Sequence, residues 1–245
     1  MRLDVYLADN ALCDSRTDAK NFILNGNVTV DGKVVKKPSY DVIGSEIIEV
    51  DKSSKKYASR GGLKLEAALS FFELCVDGRL AIDVGASSGG FTDCLLQNGA
   101  KHVIAVDSGS GQLVDVLRQD DRVTVIENYN ARYMEPSDFE YCADLAVMDV
   151  SFISATLIIP ALKGCLADNA DFICLIKPQF EVGKAGLGKG GIVKSATIRK
   201  EAVDRVINFA ESVGFMLVDV IESPIVGGDG NIEYLAHFKS GKNNI

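Results

Sequence analysis

The sequence contains no tryptophan and only two histidines, and none of its six cysteines belongs to a C-x-x-C pair. A zinc site built from cysteine and histidine is therefore excluded, and so is a small scaffold held by disulfides. We expect most of the cysteines to be buried as small hydrophobic side chains, and we expect no bound metal.

Signals for export and for membrane insertion are also missing. The first residues, Met1 to Asp4, lack the apolar core of a signal peptide. The most apolar stretch, residues 145–162, is interrupted by Asp149, by two serines and by Pro160, so it cannot cross a bilayer as one helix. The sequence therefore indicates a cytoplasmic protein without a membrane partner.

Basic residues are not in excess, because 26 lysines and arginines stand against 34 aspartates and glutamates and give a net charge of −8. A protein that coats nucleic acid over its whole surface is excluded, whereas a local basic patch is not. The 245 residues, 47% apolar and 24% charged, are typical of a folded chain with one core and a small appendage, or with two modest domains.

Residues 1–52 predict a compact α+β domain. After a first short helix, Ser15 caps a second helix that stops at Gly26. Alternating apolar residues flank the Asp31-Gly32 pair, which is typical of a β-hairpin with a tight turn. Residues 46–50 predict a last strand that completes the domain.

The polar segment 53–58 predicts a linker, and residues 59–245 then alternate short apolar strands with helices. This alternation is typical of a Rossmann-like α/β domain with a doubly wound parallel sheet. Because the last two strands follow each other without a helix, we expect an antiparallel edge. Strands are predicted at residues 80–84, 103–107, 123–127, 145–150, 172–177, 215–221 and 234–238.

Residues 81–92 run from a buried strand through glycines into a helix. Their pattern is D-x-G-x-x-x-G and differs from the G-x-G-x-x-G that cradles a pyrophosphate. An acidic residue beside the turn repels phosphate and accepts hydrogen bonds from a cationic ligand, which favours S-adenosylmethionine over NAD. Asp107, at the end of the next strand, is placed to bind both ribose hydroxyls of an adenosine. The predicted cofactor-binding residues are Asp83, Gly85, Ala86, Ser87, Gly89, Phe91, Asp107, Asn130 and Asp149.

Several long motifs are specific to one protein family. They are Ser15-Arg16, Val30-Asp31-Gly32, Ser59 to Leu65, and the runs at residues 149–154, 177–184 and 230–234. With these motifs the chain resembles, over nearly its whole length, the TlyA family of ribosomal-RNA 2′-O-methyltransferases, often labelled hemolysins. The resemblance implies an αL RNA-binding domain of the ribosomal protein S-four type at residues 1–52. It also implies an FtsJ-like methyltransferase domain at residues 59–245.

FtsJ-like enzymes use a Lys-Asp-Lys-Glu tetrad, and by motif it falls on Lys64, Asp149, Lys177 and Glu233. Asp149 and Lys177 lie near the carboxyl ends of adjacent predicted strands, where open α/β sheets bind ligands. A ribose 2′-hydroxyl is a poor nucleophile near neutral pH, so its proton must be removed or polarised. We expect Lys177 to lie closest to the hydroxyl and Asp149 to orient it, while Lys64 adds charge and Glu233 completes the network.

Two basic segments are expected to contact RNA. One is a face of the first domain, and the other is the glycine-rich segment 184–200, which holds five basic residues and no acid. Because Gly190 stands where a nucleotide P-loop needs serine or threonine, this segment favours a clamp on the RNA backbone. The predicted RNA-binding residues are Arg2, Ser15, Arg16, Lys20, Lys33, Lys184 and Lys189.

The expected substrate is ribosomal RNA and not DNA. The chain resembles the shorter form of the family, which implies a cytidine of the large ribosomal subunit. Two alternatives stay open. A membrane-active hemolysin is disfavoured because the sequence has no spanning segment and no basic amphipathic helix. A non-enzymatic ribosome-binding factor is disfavoured because the tetrad is complete.

Overall fold

The computed structural model describes residues 1–13, 15–51, 56–183, 186–227 and 230–242. The chain forms two compact units, Met1–Lys56 and Tyr57–Ile245. The predicted linker at residues 53–58 lies partly outside the described residues, and so do Lys184 and Asp14.

The first unit combines two short helices with a three-stranded antiparallel sheet. Its elements are α1 (Leu3–Asp9), α2 (Arg16–Asn25), β1 (Val28–Val30), β2 (Lys33–Val34) and β3 (Ile48–Val50), and the strand order is β2-β1-β3. Side chains of both helices and of β1 meet in a small core. Leu3, Leu7, Ile23 and Val28 lie there with none of their surface exposed.

The local signals of this unit lie where the sequence predicts them. Ser15 Oγ accepts a hydrogen bond from the backbone N–H of Asp18, and Gly26 ends α2 with a φ of 82°. The hairpin turn at residues 31–32 has a positive φ at both positions. Strand β3 begins two residues later than predicted. The reason is that the Glu46 carboxylate accepts hydrogen bonds from the N–H groups of residues 43–45 and closes a turn there.

The second unit is built on a seven-stranded sheet in the order β6-β5-β4-β7-β8-β10-β9. Its strands are β4 (Leu80–Val84), β5 (His102–Val106), β6 (Val123–Ile126), β7 (Ala143–Met148), β8 (Leu166–Ile176), β9 (Phe215–Glu222) and β10 (Tyr234–Ser240). Strands β4 to β8 pair in parallel, and β10 is antiparallel to both of its neighbours. The predicted Rossmann-like α/β fold with antiparallel strands at one end is confirmed.

Helices cover both faces of this sheet. They are α3 (Gly61–Phe71), α4 (Gly90–Gln97), α5 (Asp115–Arg118), α6 (Ile159–Gly164), α7 (Pro178–Glu181) and α8 (Ala196–Ser212). Ile82 and Val84 pack in one core with residues of α6 and α8, whereas Ala81 packs in a second core with residues of α3 and α4. In the part of the chain that the structure describes, no helix is long and apolar enough to span a membrane.

Four of the six cysteines are buried, as the sequence predicts: Cys13, Cys94, Cys165 and Cys174. The buried ones act as small apolar side chains of the three cores.

The parallel strands end at one common edge of the sheet. Val84 pairs with both Val106 and Met148, so β4, β5 and β7 stop at the same level. Asp107, Asp149 and Lys177 each follow directly after the last residue of their strand, whereas the predicted strands include them. Open α/β sheets bind their ligands at this carboxyl edge.

Towards the opposite edge, Asp171 is a carboxylate with none of its surface exposed. It accepts hydrogen bonds from Arg79 Nη2 at 2.8 Å and from His237 Nε2 at 2.7 Å, and Lys239 Nζ lies 2.6 Å away. Burial by itself raises the pKa of Asp171, but the three hydrogen-bonding neighbours outweigh it and lower that pKa to about 2. The cluster ties β8 to β10 and to the start of β4.

Replacing Asp171 by asparagine should lower the free energy of unfolding by about 3–5 kcal/mol, because the surrounding donors lose the buried charge that compensates them. Urea denaturation at neutral pH measures this change. Lys200→Ala, which removes the exposed Lys200–Asp204 pair, should be indistinguishable from the unmodified protein. An Asp171→Asn protein of unchanged stability would contradict a stabilising role for the cluster.

Candidate active site

The glycine turn after β4 passes directly against the end of β7. Gly85 has a φ of 87°, and a Cβ atom at this position would lie 2.5 Å from the carbonyl oxygen of Asp149. The backbone N–H groups of Gly85 and Ala86 both donate to the carbonyl of Val106, at 2.8 and 3.1 Å. Both its φ and this close approach require glycine, and the turn is thereby fixed between β5 and β7.

Close packing of side chains against the glycine backbone also positions the helix that follows the turn. A Cβ atom on Gly89, whose φ is 95°, would lie 2.3 Å from Leu117 Cδ1. A Cβ atom on Gly90 would lie 2.1 Å from Ser59 Oγ, in the segment that leads into α3. The glycines therefore let α4 pack tightly between the α5 region and α3, the helix that carries Lys64.

The carboxylate of Asp107 is oriented by two backbone N–H groups at the mouth of the turn. Ser87 N donates to one carboxylate oxygen at 2.8 Å, and Gly109 N donates to the other at 2.7 Å. The loop after β6 lies beside it, because Tyr129 N donates to the Asp107 carbonyl. Each carboxylate oxygen keeps a lone pair for a further donor, so this arrangement can bind a pair of hydroxyl groups.

Glu127 and Asn130 shape the loops on this side of the site. The Glu127 carboxylate accepts hydrogen bonds from Arg118 Nη2 and from the N–H groups of Gly111 and Gln112, which lower its pKa to about 2. Asn130, predicted to bind the cofactor, is exposed, and its Oδ1 accepts a hydrogen bond from the N–H of Arg132 at 3.1 Å. In this structure Asn130 caps the short 3-10 helix Ala131–Tyr133.

Two of the predicted cofactor residues lie behind the turn. Asp83 has none of its surface exposed, and Thr92 Oγ1 donates to its Oδ2 at 2.7 Å. Burial raises the pKa of Asp83 to about 7, and the charge of Asp149 adds to the shift, whereas the Thr92 hydrogen bonds oppose it. Phe91 is 3% exposed and packs in the core with residues of α3. Both side chains support the turn from inside, and their predicted part in cofactor binding stays a prediction.

Lys177 and Asp149 form an ion pair across the ends of adjacent strands. Lys177 Nζ lies 2.5 Å from Asp149 Oδ1 and donates a hydrogen bond to Ser151 Oγ at 2.8 Å. The aromatic ring of Phe180 lies 5.9 Å from Nζ. The side chains of Lys177 and Asp149 are 11% and 21% exposed, so both reach the surface at the sheet edge next to Gly85.

Lys64 and Glu233 form a second, more deeply buried ion pair. Lys64 Nζ lies 2.6 Å from Glu233 Oε2, and the two residues are 8% and 2% exposed. Gln179 Nε2 donates to the other oxygen of Glu233 at 3.3 Å. Because Tyr234 pairs with Ile176, Glu233 lies beside Lys177 at the same end of neighbouring strands. The structure thus brings the four predicted tetrad residues together as two ion pairs.

Three further residues of the site were not predicted from the sequence: Ser151, Phe152 and Gln179. Phe152 is 92% exposed and has a φ of 63°, and its ring lies 5.2 Å from that of Phe180. A bulky side chain is rarely both exposed and in the left-handed region, which marks Phe152 as a functional candidate. The available signal was its position three residues after Asp149. The sequence pattern alone does not separate an exposed phenylalanine from a buried one.

Glu181 holds the loop that carries Ser151 and Phe152. It is 8% exposed, and it accepts hydrogen bonds from Ser154 Oγ at 2.5 Å and from Ala155 N at 2.8 Å. Burial raises the pKa of Glu181, and the two hydrogen bonds oppose that shift. Residues of α7 therefore fix both Lys177, which precedes this helix, and the loop beside it.

The predicted RNA-binding residues of the first unit lie at its surface. Lys20 and Lys33 are exposed, and Ser15 is exposed at the start of α2. The side chains of Arg2 and Arg16 are 46% and 53% exposed, and both contact Asp4.

The basic segment of the second unit is tied to the loop before β10. Asn231, 2% exposed, accepts a hydrogen bond from Val193 N and donates one to the carbonyl of Gly191. Lys189 is exposed in the short 3-10 helix Lys189–Gly191, whereas Lys184 is outside the described residues. Arg199 donates to the carbonyls of residues 193 and 194 and closes the segment.

Comparisons with known proteins agree with this architecture. Residues 57–240 match the family described as FtsJ-like methyltransferase, and residues 1–48 match the S4 domain. The chain is 44% identical over 237 residues to the Bacillus subtilis protein named "Putative rRNA methyltransferase YqxC", covering 96% of this chain and 84% of that protein.

Two further proteins are similar along most of the chain. The Mycobacterium tuberculosis protein named 16S/23S rRNA (cytidine-2′-O)-methyltransferase TlyA is 43% identical over 234 residues, covering 95% of this chain and 87% of that protein. The solved structure titled "Putative hemolysin from Streptococcus thermophilus" is 45% identical with a TM-score of 0.81, covering 99% of this chain and 89% of that chain. The chain therefore belongs to the TlyA family of FtsJ-like methyltransferases that carry an S4 domain.

Proposed function

We propose that this protein transfers a methyl group from S-adenosylmethionine to the 2′-hydroxyl of a cytidine in ribosomal RNA. One observation carries the proposal: two ion pairs, Lys64–Glu233 and Lys177–Asp149, lie at the sheet edge where the Gly85 turn begins. The names of the relatives support this substrate and this reaction. The large ribosomal subunit in the cytoplasm is the favoured partner.

In this proposal the two units have different roles. Residues 1–52 act as the RNA-binding domain, residues 53–58 as the linker, and residues 59–245 as the methyltransferase domain. The match of residues 1–48 to the S4 domain supports the first assignment. The match of residues 57–240 to the FtsJ-like methyltransferases supports the last.

The residues around the turn fit S-adenosylmethionine by their chemistry. Asp107 offers two oriented carboxylate oxygens to ribose hydroxyls, and the glycine turn lets a ligand approach the backbone closely. Asp149 places a further carboxylate beside the Gly85 turn, which favours a ligand with positive charge over a pyrophosphate. When bound, S-adenosylmethionine supplies an electrophilic methyl group.

Lys177 acts on the 2′-hydroxyl. Its partners Asp149 and Ser151 are themselves accessible, whereas the Lys64 ammonium is paired with the buried Glu233. Asp149 and Ser151 hold Lys177 Nζ at the sheet edge. There its ammonium form can polarise the hydroxyl, and its neutral form, after it has released a proton to solvent, can accept the hydroxyl proton. The exposed ring of Phe152 offers a stacking surface for a base turned out of its helix.

The experiment that tests the proposal uses the purified protein, methyl-labelled S-adenosylmethionine and isolated ribosomal subunits. Mass spectrometry of digested rRNA should find the label on a ribose 2′-oxygen of a cytidine. An RNA in which the target nucleotide is 2′-deoxy should receive no methyl group. Label on a base, or transfer to the deoxy substrate, would contradict the proposed reaction.

Replacing Gly85 by alanine should weaken S-adenosylmethionine binding at least about tenfold, because the added Cβ pushes the turn away from Asp149 and strains a positive φ. Isothermal calorimetry measures the affinity. Gly78→Ala is the matched control, since Gly78 has a φ of 73° with open space around its Cβ position. If a folded Gly85→Ala protein binds S-adenosylmethionine as tightly as the Gly78→Ala control, the cofactor does not lie at this turn.

A further inference from the structure

Asp4, in the first turn of α1, has none of its surface exposed. Arg2 Nε and Nη2 donate to its two carboxylate oxygens at 2.9 and 3.0 Å. Arg16 Nε, at the start of α2, donates to Oδ2 at 3.1 Å. One carboxylate therefore joins two arginines that come from different segments.

The two guanidinium groups themselves cover Asp4. Both arginine side chains remain about half exposed, at 46% and 53%, although they lie over the carboxylate. The hydrogen bonds from Arg2, followed by those from Arg16, outweigh the effect of burial and lower the pKa of Asp4 to about 2. Asp4 is therefore ionised at neutral pH and keeps both arginines in place.

This pairing leaves donors of both arginines available. A guanidinium group carries five N–H bonds on three nitrogens. Among the described residues, Nη1 of Arg2 and both Nη atoms of Arg16 have no hydrogen-bond partner. Because the Nε atoms are fixed by Asp4, the directions of these remaining donors are fixed as well. Oriented guanidinium donors are suited to the paired oxygens of a phosphate.

Net charge gives this surface little attraction for RNA. Residues 1–56 contain nine lysines and arginines and nine aspartates and glutamates, which sum to zero. Asp41 lies opposite Arg2 in an isolated backbone bridge and adds a negative charge beside it, while Lys20 lies one helical turn after Arg16. Recognition at this surface must therefore depend on where its donors point more than on how many charges it carries.

We propose that Asp4 is a positioning residue for RNA binding, which holds Arg2 and Arg16 as a preformed seat for one phosphodiester group of the RNA backbone. This inference rests on the proposed function, because it requires an RNA substrate. Asp4 itself does not touch the RNA and acts only through the two arginines. Contacts to phosphate fix the register of an RNA on a protein without reading its bases. The two arginines would therefore set the register in which the RNA binds to the first unit.

The test compares two substitutions that change the net charge equally. Asp4→Asn and Asp9→Asn each remove one negative charge, and Asp9 is an exposed residue at the other end of α1. Steady-state methylation of ribosomal subunits gives kcat and KM for both full-length variants. Asp4→Asn should raise KM at least about tenfold with little change in kcat, although its added charge favours RNA binding. Asp9→Asn should leave KM unchanged or lower it.

A double-mutant cycle separates positioning from support of the fold. In a chain that already carries Arg2→Ala and Arg16→Ala, adding Asp4→Asn should cause no further rise in KM, because the groups it positions are gone. A purely structural role would add the same loss in both backgrounds. Arg2→Lys gives an independent check, since it keeps the charge and Asp4 but loses the paired hydrogen bonds, and it should also raise KM.

The outcomes separate this inference from the proposed function. If Asp4→Asn and Arg2→Lys methylate with the KM of the unmodified protein, or if Asp4→Asn costs the same in both backgrounds, the positioning role is wrong and the proposed function is untouched. If the unmodified protein methylates no ribosomal RNA, the proposed function fails and this inference fails with it.

Discussion

Replacing Lys177 by alanine should reduce methyl transfer at least about a thousandfold, because the residue acts on the nucleophile itself. S-Adenosylmethionine binding should change little, since the turn at Gly85 and the carboxylate of Asp107 are built without Lys177. Single-turnover methylation measures the rate, and calorimetry measures the cofactor affinity of the same protein preparation. Lys101→Ala is the control and should keep full activity, because Lys101 is exposed just before β5 and therefore lies away from the carboxyl edge of the sheet.

A second substitution at the same position distinguishes the two ways in which Lys177 can act. Lys177→Arg keeps the positive charge beside Asp149 but cannot give up a proton, because a guanidinium group stays protonated. If Lys177 removes the hydroxyl proton, this variant should be as inactive as Lys177→Ala. Substantial activity in Lys177→Arg would leave the site in place and replace proton removal by electrostatic polarisation. Full activity in Lys177→Ala would contradict the site.

The fold and the position of the site follow from regular patterns in the sequence. Apolar strands that alternate with helices predict the sheet, and the strand ends predict which polar residues share one edge. Asp107, Asp149 and Lys177 are within one residue of their predicted places because each interrupts an apolar run. The pairing partners Lys64 and Glu233, 169 residues apart, were assigned from the family motifs, and the structure brings them within 2.6 Å.

The direction in which each side chain points, and how deeply it is buried, could not be predicted in the same way. Asp83 and Phe91 both belong to the turn motif. Asp83, however, shares a strand face with Ala81 and points towards α4, where Thr92 donates a hydrogen bond to it. The exposed Phe152 depends on a left-handed backbone that no periodicity reveals. In the sequence, nothing distinguishes Asp4 from the other acidic residues. Its proposed role depends on Arg2 and Arg16, which donate hydrogen bonds to it only in the folded chain.

The buried Asp83 should make the stability of the protein depend on pH in an unusual direction. Its pKa is raised to about 7 by burial, whereas an aspartate in the unfolded chain titrates near 3.8. Between these two values the folded state binds a proton that the unfolded state has released, so stability falls as the pH rises and levels off above the folded pKa. The total loss attributable to Asp83 is on the order of 4 kcal/mol.

Asp83→Asn should remove this loss, because asparagine keeps the acceptor for Thr92 and carries no charge at any pH. Relative to the unmodified protein, the variant should gain about 2 kcal/mol in its free energy of unfolding between about pH 5.5 and about pH 8. Urea denaturation of both proteins at the two pH values measures the difference, which cancels the titration of all other groups. Asp115→Asn, at an exposed position in α5, should show no such pH-dependent gain. If the two proteins differ in their free energy of unfolding by the same amount at both pH values, Asp83 stays ionised in the folded state. Its second carboxylate oxygen must then have a hydrogen-bond partner at the glycine turn.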